Sequence, residues 1–312
     1  MSMLKLHNMF NALFRGFPKT PPLPSSSVAI RRHEDVQRLD AILSSKRLDA
    51  RPNANAANER VSQRVLHQTL ALLHKINSSV PSEAPTFRLG VQDSLVGPNS
   101  GDGLFLASGT LHPGDVAALY PGTALFHEDV AFFGGLQYMF SEKEMNWFIH
   151  RSDGVVLDGL GKTFALNSLV TSLESSSSGD TEGHAMSEIM DKFEKLQRSH
   201  AKLNTKLNTK LNTDSIITRT TNPYAIAHKA NHPPLNVPAN VVAVAVDYDV
   251  KAMDSHLLPL IPNIHALFPT FYCTQGISFV ASHTIHAGDE IYLDYATSLE
   301  NRPDWYHEAE RG

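Results

Sequence analysis

The sequence predicts a mainly β fold with a helical portion, its strands short and gathered into small sheets. Three observations carry that expectation. From Leu89 onward, short apolar runs alternate with glycine- and proline-bearing turns, a texture that suits small sheets. Val241 to Val246 is a β-branched run too short for an ordinary helix, and Pro233, Pro234 and Pro238 precede it, so it reads as a buried strand. Residues 33–88, by contrast, repeat apolar positions at helical spacing.

In chain order, residues 1–32 form a flexible N-terminal segment. It carries Lys5, Arg15, Lys19, Arg31 and Arg32 and no acid, and Leu6, Phe10, Leu13, Phe14 and Phe17 can share one helical face. Two readings stay open: a mitochondrial targeting segment, or a basic tail ending in a proline–serine linker on a nucleocytoplasmic protein. Residues 33–88 form a helical region. Over 33–48, Val36, Leu39, Ile42 and Leu43 line one side of a helix. After a polar break at 51–58, Asn58 stands where a cap belongs, and Val61, Val65, Leu66, Leu72, Leu73 and Ile76 face one way. These stripes predict a surface that packs against the strands C-terminal to them. Pro81 and Pro85 close the region.

Residues 89–312 form the main domain. Gly101-Asp102-Gly103 precedes Leu104-Phe105. His112-Pro113-Gly114-Asp115 is a strong turn, and Val116 to Tyr120 is a short strand stopped by Pro121-Gly122. Ser152-Asp153-Gly154 turns a hairpin between Phe148-Ile149 and Val155 to Leu157. Residues 160–221 interrupt the domain as an insertion. It holds a serine run, an amphipathic stretch over 182–199 and three copies of Lys-Leu-Asn-Thr from Lys202 to Thr213, which is low-complexity sequence rather than a solenoid repeat. Asn231 and Asn240 bracket a proline-fixed loop, and the Val241 strand comes next. Loop and short helix fill 247–269. Phe271 to Cys273 and Ile277 to Val280 are strand-like on either side of Gln275-Gly276. The final stretch, Thr284 to Tyr295, reads as a strand end, a glycine turn with two acids, and a closing strand.

Bulk properties exclude several classes. The 312 residues, 42% of them hydrophobic, suffice for a real core. A net charge of −5 gives no basic field for direct nucleic-acid binding. No apolar run approaches the length of a membrane span, so no membrane partner is expected. Cys273 is the only cysteine, which excludes an internal disulfide and any thiolate-rich zinc cluster. His283 and His286 are close but lack a spaced third ligand, so no metal is expected. Gly101-x-Gly103 lacks the third glycine and long helix of a dinucleotide site.

Several short motifs occur together in one order. Gly101-Asp102-Gly103-Leu104-Phe105 is followed by Tyr120-Pro121-Gly122 and by Val156-Leu157-Asp158-Gly159. Asn231-His232 comes next, with Asn240 after it, and the chain closes on Gly288-Asp289-Glu290-Ile291 with Asp294-Tyr295. This ordered set resembles the SET domain family of protein lysine methyltransferases, over roughly residues 95–300. Tyr120 to Thr123, Asn222-Pro223, the long Asn231–Asn240 spacing and Leu260-Ile261-Pro262-Asn263 resemble one branch of that family, the SET domain-containing protein 9 branch.

The resemblance implies a β-clip fold of small sheets with a C-terminal pseudoknot, in which the closing strand threads beneath the Asn-His segment and brings Tyr295 next to Asn231. It implies S-adenosyl-L-methionine as cofactor and a lysine-bearing protein as substrate partner. Tyr295 takes the catalytic role. Gly101, Asp102, Gly103 and Leu104 lie along the cofactor, Tyr120 adds a second aromatic, and Asn231 and His232 hold the cofactor's amino-acid and adenine ends. Glu290 and Asp294 fix loops, and Trp305 or Tyr306 covers the cofactor. The chemistry suits these residue types, because a lysine titrating near 10.4 must be desolvated and aligned before it can act as a neutral nucleophile. Pro233-Pro234 and Lys229 depart from the family pattern. They support a second reading, a SET-like binding module without turnover that acts through protein–protein contacts.

Overall fold

The computed structural model describes residues 28–29, 33–43, 54–98, 100–126, 147–151, 153–159, 222–265 and 273–295. The N-terminal helical face, the 160–221 insertion, Phe271, Trp305 and Tyr306 lie outside the described residues.

After a short strand β1 (Val28–Ala29) come two helices, α1 (His33–Leu43) and α2 (Ala54–Asn77). Asn58 is not the cap of α2. The helix starts at Ala54, because Ala54, Ala56 and Ala57 are strong helix formers and carry it back through the stretch expected to be a break. Ala57, Val61, Val65, Leu72 and Leu73 recur at helical spacing and are buried. Thr69 lies in the same stripe and is also buried, with its hydroxyl 2.9 Å from that of Ser278. A polar side chain is tolerated there because its partner is built into the facing strand. Each Val or Leu on this face contributes roughly 1.5–3 kcal/mol on burial, so a charge at Val65 would undo the docking. Against α2, α1 buries Leu39 and sets Asp40 2.8 Å from Arg60.

The β elements are as short as the turn density predicts: β2 (Arg88–Asp93), β3 (Asp102–Ser108), β4 (Thr110–Leu111), β5 (Val116–Leu119), β6 (Gly122–Leu125), β7 (Phe148–His150), β8 (Val156–Asp158), β9 (Val241–Asp247), β10 (Asn263–His265), β11 (Gln275–Ala281), β12 (Ile285–His286) and β13 (Glu290–Ile291). They form small sheets ordered β1-β7-β8-β6-β10, β5-β11-β9, β2-β3-β13 and β4-β12. The fold is mainly β with α. The Val241 strand is β9, and α2 packs across it. β7 and β8 make the expected hairpin, with Arg151 N–H donating to the Val155 carbonyl at 2.8 Å.

Two further expectations are corrected. Gln275-Gly276 does not separate strand pieces: both residues lie in β11, paired with Asp247 and Val246 of β9. The 247–269 stretch also holds a strand, β10, which runs parallel to β6.

Residues 110–115 and 284–289 share a pattern, Thr-(Leu/Ile)-His-x-Gly-Asp. Both make the same turn. Asp115 N–H reaches the His112 carbonyl at 3.0 Å, and Asp289 N–H reaches that of His286 at 3.0 Å. The Asp carboxylate accepts from the His N–H at 2.8 Å in one and 2.7 Å in the other. Gly114 and Gly288 supply the left-handed φ of +96° and +95° that the turn needs. The strands entering these turns, β4 and β12, pair with each other.

Beyond the second turn the chain passes between two distant residues of one loop. Tyr292 bridges Asn231, and Leu293 bridges Val241. Leu293 N–H donates to the Asn231 carbonyl at 2.9 Å, while Asn240 and Val241 N–H donate to the Tyr292 carbonyl at 3.1 and 3.2 Å. The 231–241 loop therefore straddles the tail.

Candidate functional site

The site is built where this tail, the β2–β3 turn and the Asn231 loop meet. Asn240 clamps the tail: its amide donates to the Glu290 carbonyl at 2.9 Å and accepts from Tyr292 N–H at 2.8 Å. With the tail held there, Tyr295 falls beside the Asn231 loop. Its hydroxyl donates to the Ala230 carbonyl at 3.1 Å, and its ring centroid lies 5.6 Å from that of His232. His232 is buried, and its Nδ1 accepts from Tyr295 N–H at 3.3 Å.

Tyr120 enters from the end of β5. It is buried, and its hydroxyl donates to the Trp147 carbonyl at 2.6 Å. Burial raises its pKa well above the ordinary phenol value, and the neighbouring Tyr295 and Asp158 add to the effect. Burial likewise pushes Tyr295 up to about 12, with the His232 backbone N–H opposing by hydrogen-bonding the phenol and the Glu290 charge adding. Both phenols therefore stay neutral at physiological pH.

The glycine stretch approaches from β3. Gly101 closes the turn from β2 by accepting Ser94 N–H at 2.9 Å. Asp102 is exposed and pairs with Lys229 at 2.8 Å. Gly103 lies against Glu290: a Cβ there would sit 2.2 Å from the carboxylate oxygen. Its small size thus makes room for a side chain of this protein. Leu104 is fully buried in the core, in register with Ile291, so only its backbone is available.

Asn231 is where these segments join. Its Nδ2 donates to the Asp102 carbonyl at 3.0 Å and to Glu290 Oε1 at 3.3 Å. Since a backbone carbonyl only accepts, this assigns the amide orientation and leaves Oδ1 as the free face. Among the described residues Oδ1 takes no hydrogen bond.

The structure thus brings Asn231, His232, Tyr295, Tyr120 and the Gly101–Gly103 backbone around one locus. Sequence reasoning gave Glu290 a loop-fixing part but not its partners. Its carboxylate, 2% exposed, accepts from Ser94 Oγ (2.7 Å), Leu95 N–H (2.7 Å), Tyr292 OH (2.9 Å) and Asn231. Trp147 and His228 were also missed. The His228 ring lies 5.9 Å from the Trp147 indole, and its buried Nδ1 has no hydrogen-bond partner among the described residues. Lys229 Nζ sits 5.7 Å from the same indole. No local sequence signal marks Trp147, whereas His228 and Lys229 stand directly before the Asn231 motif.

No family model matches this chain, and no curated protein matches it. Among the described residues, no group of three or more His, Cys, Asp or Glu could hold a metal ion, and no helix is long and apolar enough to cross a membrane.

Proposed function

We propose that this chain is a SET-type, S-adenosyl-L-methionine-dependent methyltransferase acting on a protein lysine. The observation that carries the reading is the Tyr295 hydroxyl, 3.1 Å from the Ala230 carbonyl and one residue from Asn231, despite the distance between these residues in sequence. Passage of the tail between Asn231 and Val241 is what a C-terminal pseudoknot of that type requires.

The donor set fits the cofactor. Asn231 Oδ1 offers an acceptor to an α-ammonium, and Gly101, where an added Cβ would meet nothing within 4 Å, offers backbone for close approach. His232 stands beside Tyr295 and would hold the cofactor's adenine end. When bound, S-adenosylmethionine supplies a methyl group on a sulfonium, which a neutral lysine amine takes up while the C–S electron pair stays with sulfur. The chain's own residues prepare that amine. Tyr120, buried, and Tyr295, partly buried, are both neutral and give a wall that disfavours the ammonium by desolvation. Tyr295 is held by its bond to Ala230, so its oxygen lone pairs keep a fixed direction for the incoming amine.

A second reading, a SET-like binding module without turnover, is favoured by Lys229. Its ammonium pairs with Asp102 at 2.8 Å across the mouth of the same locus, joining the glycine stretch to the Asn231 segment. Calorimetric titration with S-adenosylmethionine, followed by label transfer from the methyl-labelled cofactor to a cell lysate, decides between them. The enzyme reading expects binding, and transfer lost in Tyr295→Phe. Binding with no Tyr295-dependent transfer supports the module, and no binding sinks the enzyme reading.

A further inference from the structure

We propose that Glu290 is a positioning residue that locks the Asn231 side-chain amide in one orientation, so that Asn231 presents only an acceptor to whatever binds there. The inference deepens the methyltransferase reading and, in its ligand arm, rests on it. The geometry comes from two fixed points. The Asp102 carbonyl can only accept, so it holds Asn231 Nδ2 at 3.0 Å. The Leu95 backbone N–H can only donate, so it holds Glu290 Oε2 at 2.7 Å. Between them lies the 3.3 Å contact from Asn231 Nδ2 to Glu290 Oε1.

Only a carboxylate meets both ends. In Glu290→Gln, an amide nitrogen in the Oε1 place faces Asn231 Nδ2, donor against donor. The same nitrogen in the Oε2 place faces Leu95 N–H, again donor against donor. Ser94 Oγ and Tyr292 OH, the other two partners at 2.7 and 2.9 Å, are hydroxyls and can reverse their roles, so they do not force the choice. The conflict therefore falls on Asn231 or on the β2–β3 turn. Because Glu290 is buried, water does not relieve it. An Asn231 turned over would show its donor, not its acceptor, to a ligand ammonium, and would set Oδ1 against the Asp102 carbonyl, so the β2–β3 turn must shift with it.

The test has two arms. In the ligand-free protein, the Asn231 side-chain amide protons should resonate well away from free-amide positions in the wild type, and should move in Glu290→Gln. Wild-type protons at free-amide positions overturn the lock without any variant being needed, as does an unchanged signal in a folded Glu290→Gln. The ligand arm compares S-adenosylmethionine with methylthioadenosine, which lacks the α-ammonium. Glu290→Gln should weaken the first by roughly tenfold or more, the scale of one misdirected buried hydrogen bond, and leave the second unchanged. Equal weakening of both means Glu290 only supports the fold, and the proposal fails. If the wild type binds neither compound, the methyltransferase reading fails, while the amide resonances still decide the lock.

Discussion

His228 shows at the scale of one residue how the site's chemistry enters stability. Burial lowers its pKa to about 4, with the Lys229 charge adding, and its buried Nδ1 has no partner among the described residues. His150 is lowered to about 4 by burial alone. A depressed histidine keeps the folded state neutral while the unfolded chain titrates near 6.5, so the unfolded state takes up protons first. The stability these residues contribute is complete above pH 6.5 and is lost as pH falls through 4. Each accounts for about 3 kcal/mol over that window, by the linkage between pKa and folding. Urea unfolding at pH 7, 5.5 and 4.5 should show the midpoint dropping, and His228→Phe should flatten part of the drop. A midpoint independent of pH in the wild type would contradict the burial argument. At this scale Tyr295, Asn231 and His232 were legible because each stands in a short motif of fixed spacing. Glu290 was legible only as a letter in such a motif. Its partners Ser94, Leu95 and Asn231 are remote in sequence and carry no mark of their own.

Among the elements, one side chain clamps the closing strand at two points of its backbone. Asn240 holds both the Glu290 carbonyl and the Tyr292 N–H, which places Glu290 and Tyr295 at once. Asn240→Ala leaves two partly buried backbone groups without their partner and should cost about 2–3 kcal/mol in urea unfolding. Under the proposed methyltransferase function, S-adenosylmethionine affinity should fall with it, as the tail loses its register. Asn240→Asp keeps the acceptor for Tyr292 N–H but loses the donor to Glu290, so its cost should be intermediate. If Asn240→Ala matches the wild type in both measurements, the clamp does not hold the tail. Elements were legible where local composition dominated, as in the valine run of β9 and the Asp153-Gly154 hairpin. They were missed where pairing decided. β10 is a strand because it lies beside β6, and Asn263 within it is buried through a 3.0 Å bond to the Tyr120 carbonyl. Gln275 and Gly276 are in β11 because β9 is opposite. The paired Thr-x-His-x-Gly-Asp turns were present in the sequence as an internal repeat, separated by most of the chain.

For the whole molecule, the question is what joins the sheets that carry the two halves of the site. Tyr120 leaves the β5-β11-β9 sheet, whereas Trp147 and Asp158 belong to the neighbourhood of the β7–β8 hairpin. Arg151 ties the two sheets. It is buried, and its Nη1 donates to the Val246 carbonyl at 2.9 Å and the Gly276 carbonyl at 2.7 Å, a facing pair on β9 and β11. Its Nη2 meets Asp153 at 2.7 Å and Asp247 at 2.6 Å, one carboxylate from each sheet region. A guanidinium can serve all four because its donors form a rigid planar fork. A lysine ammonium is a point charge with three donors and cannot reach both carbonyls and both carboxylates at once. Arg151→Lys should therefore destabilise the fold by about 3 kcal/mol, the usual cost of breaking a buried charge's partner set. The loss should appear as a lower urea midpoint with an unchanged slope, since the same surface is exposed on unfolding. If the sheets were joined mainly by apolar packing, the midpoint would move little, and Arg151→Met would be tolerated better than Arg151→Lys. With Arg151 as the tie, Met leaves the Val246 and Gly276 carbonyls buried without donors and should be the worse of the two.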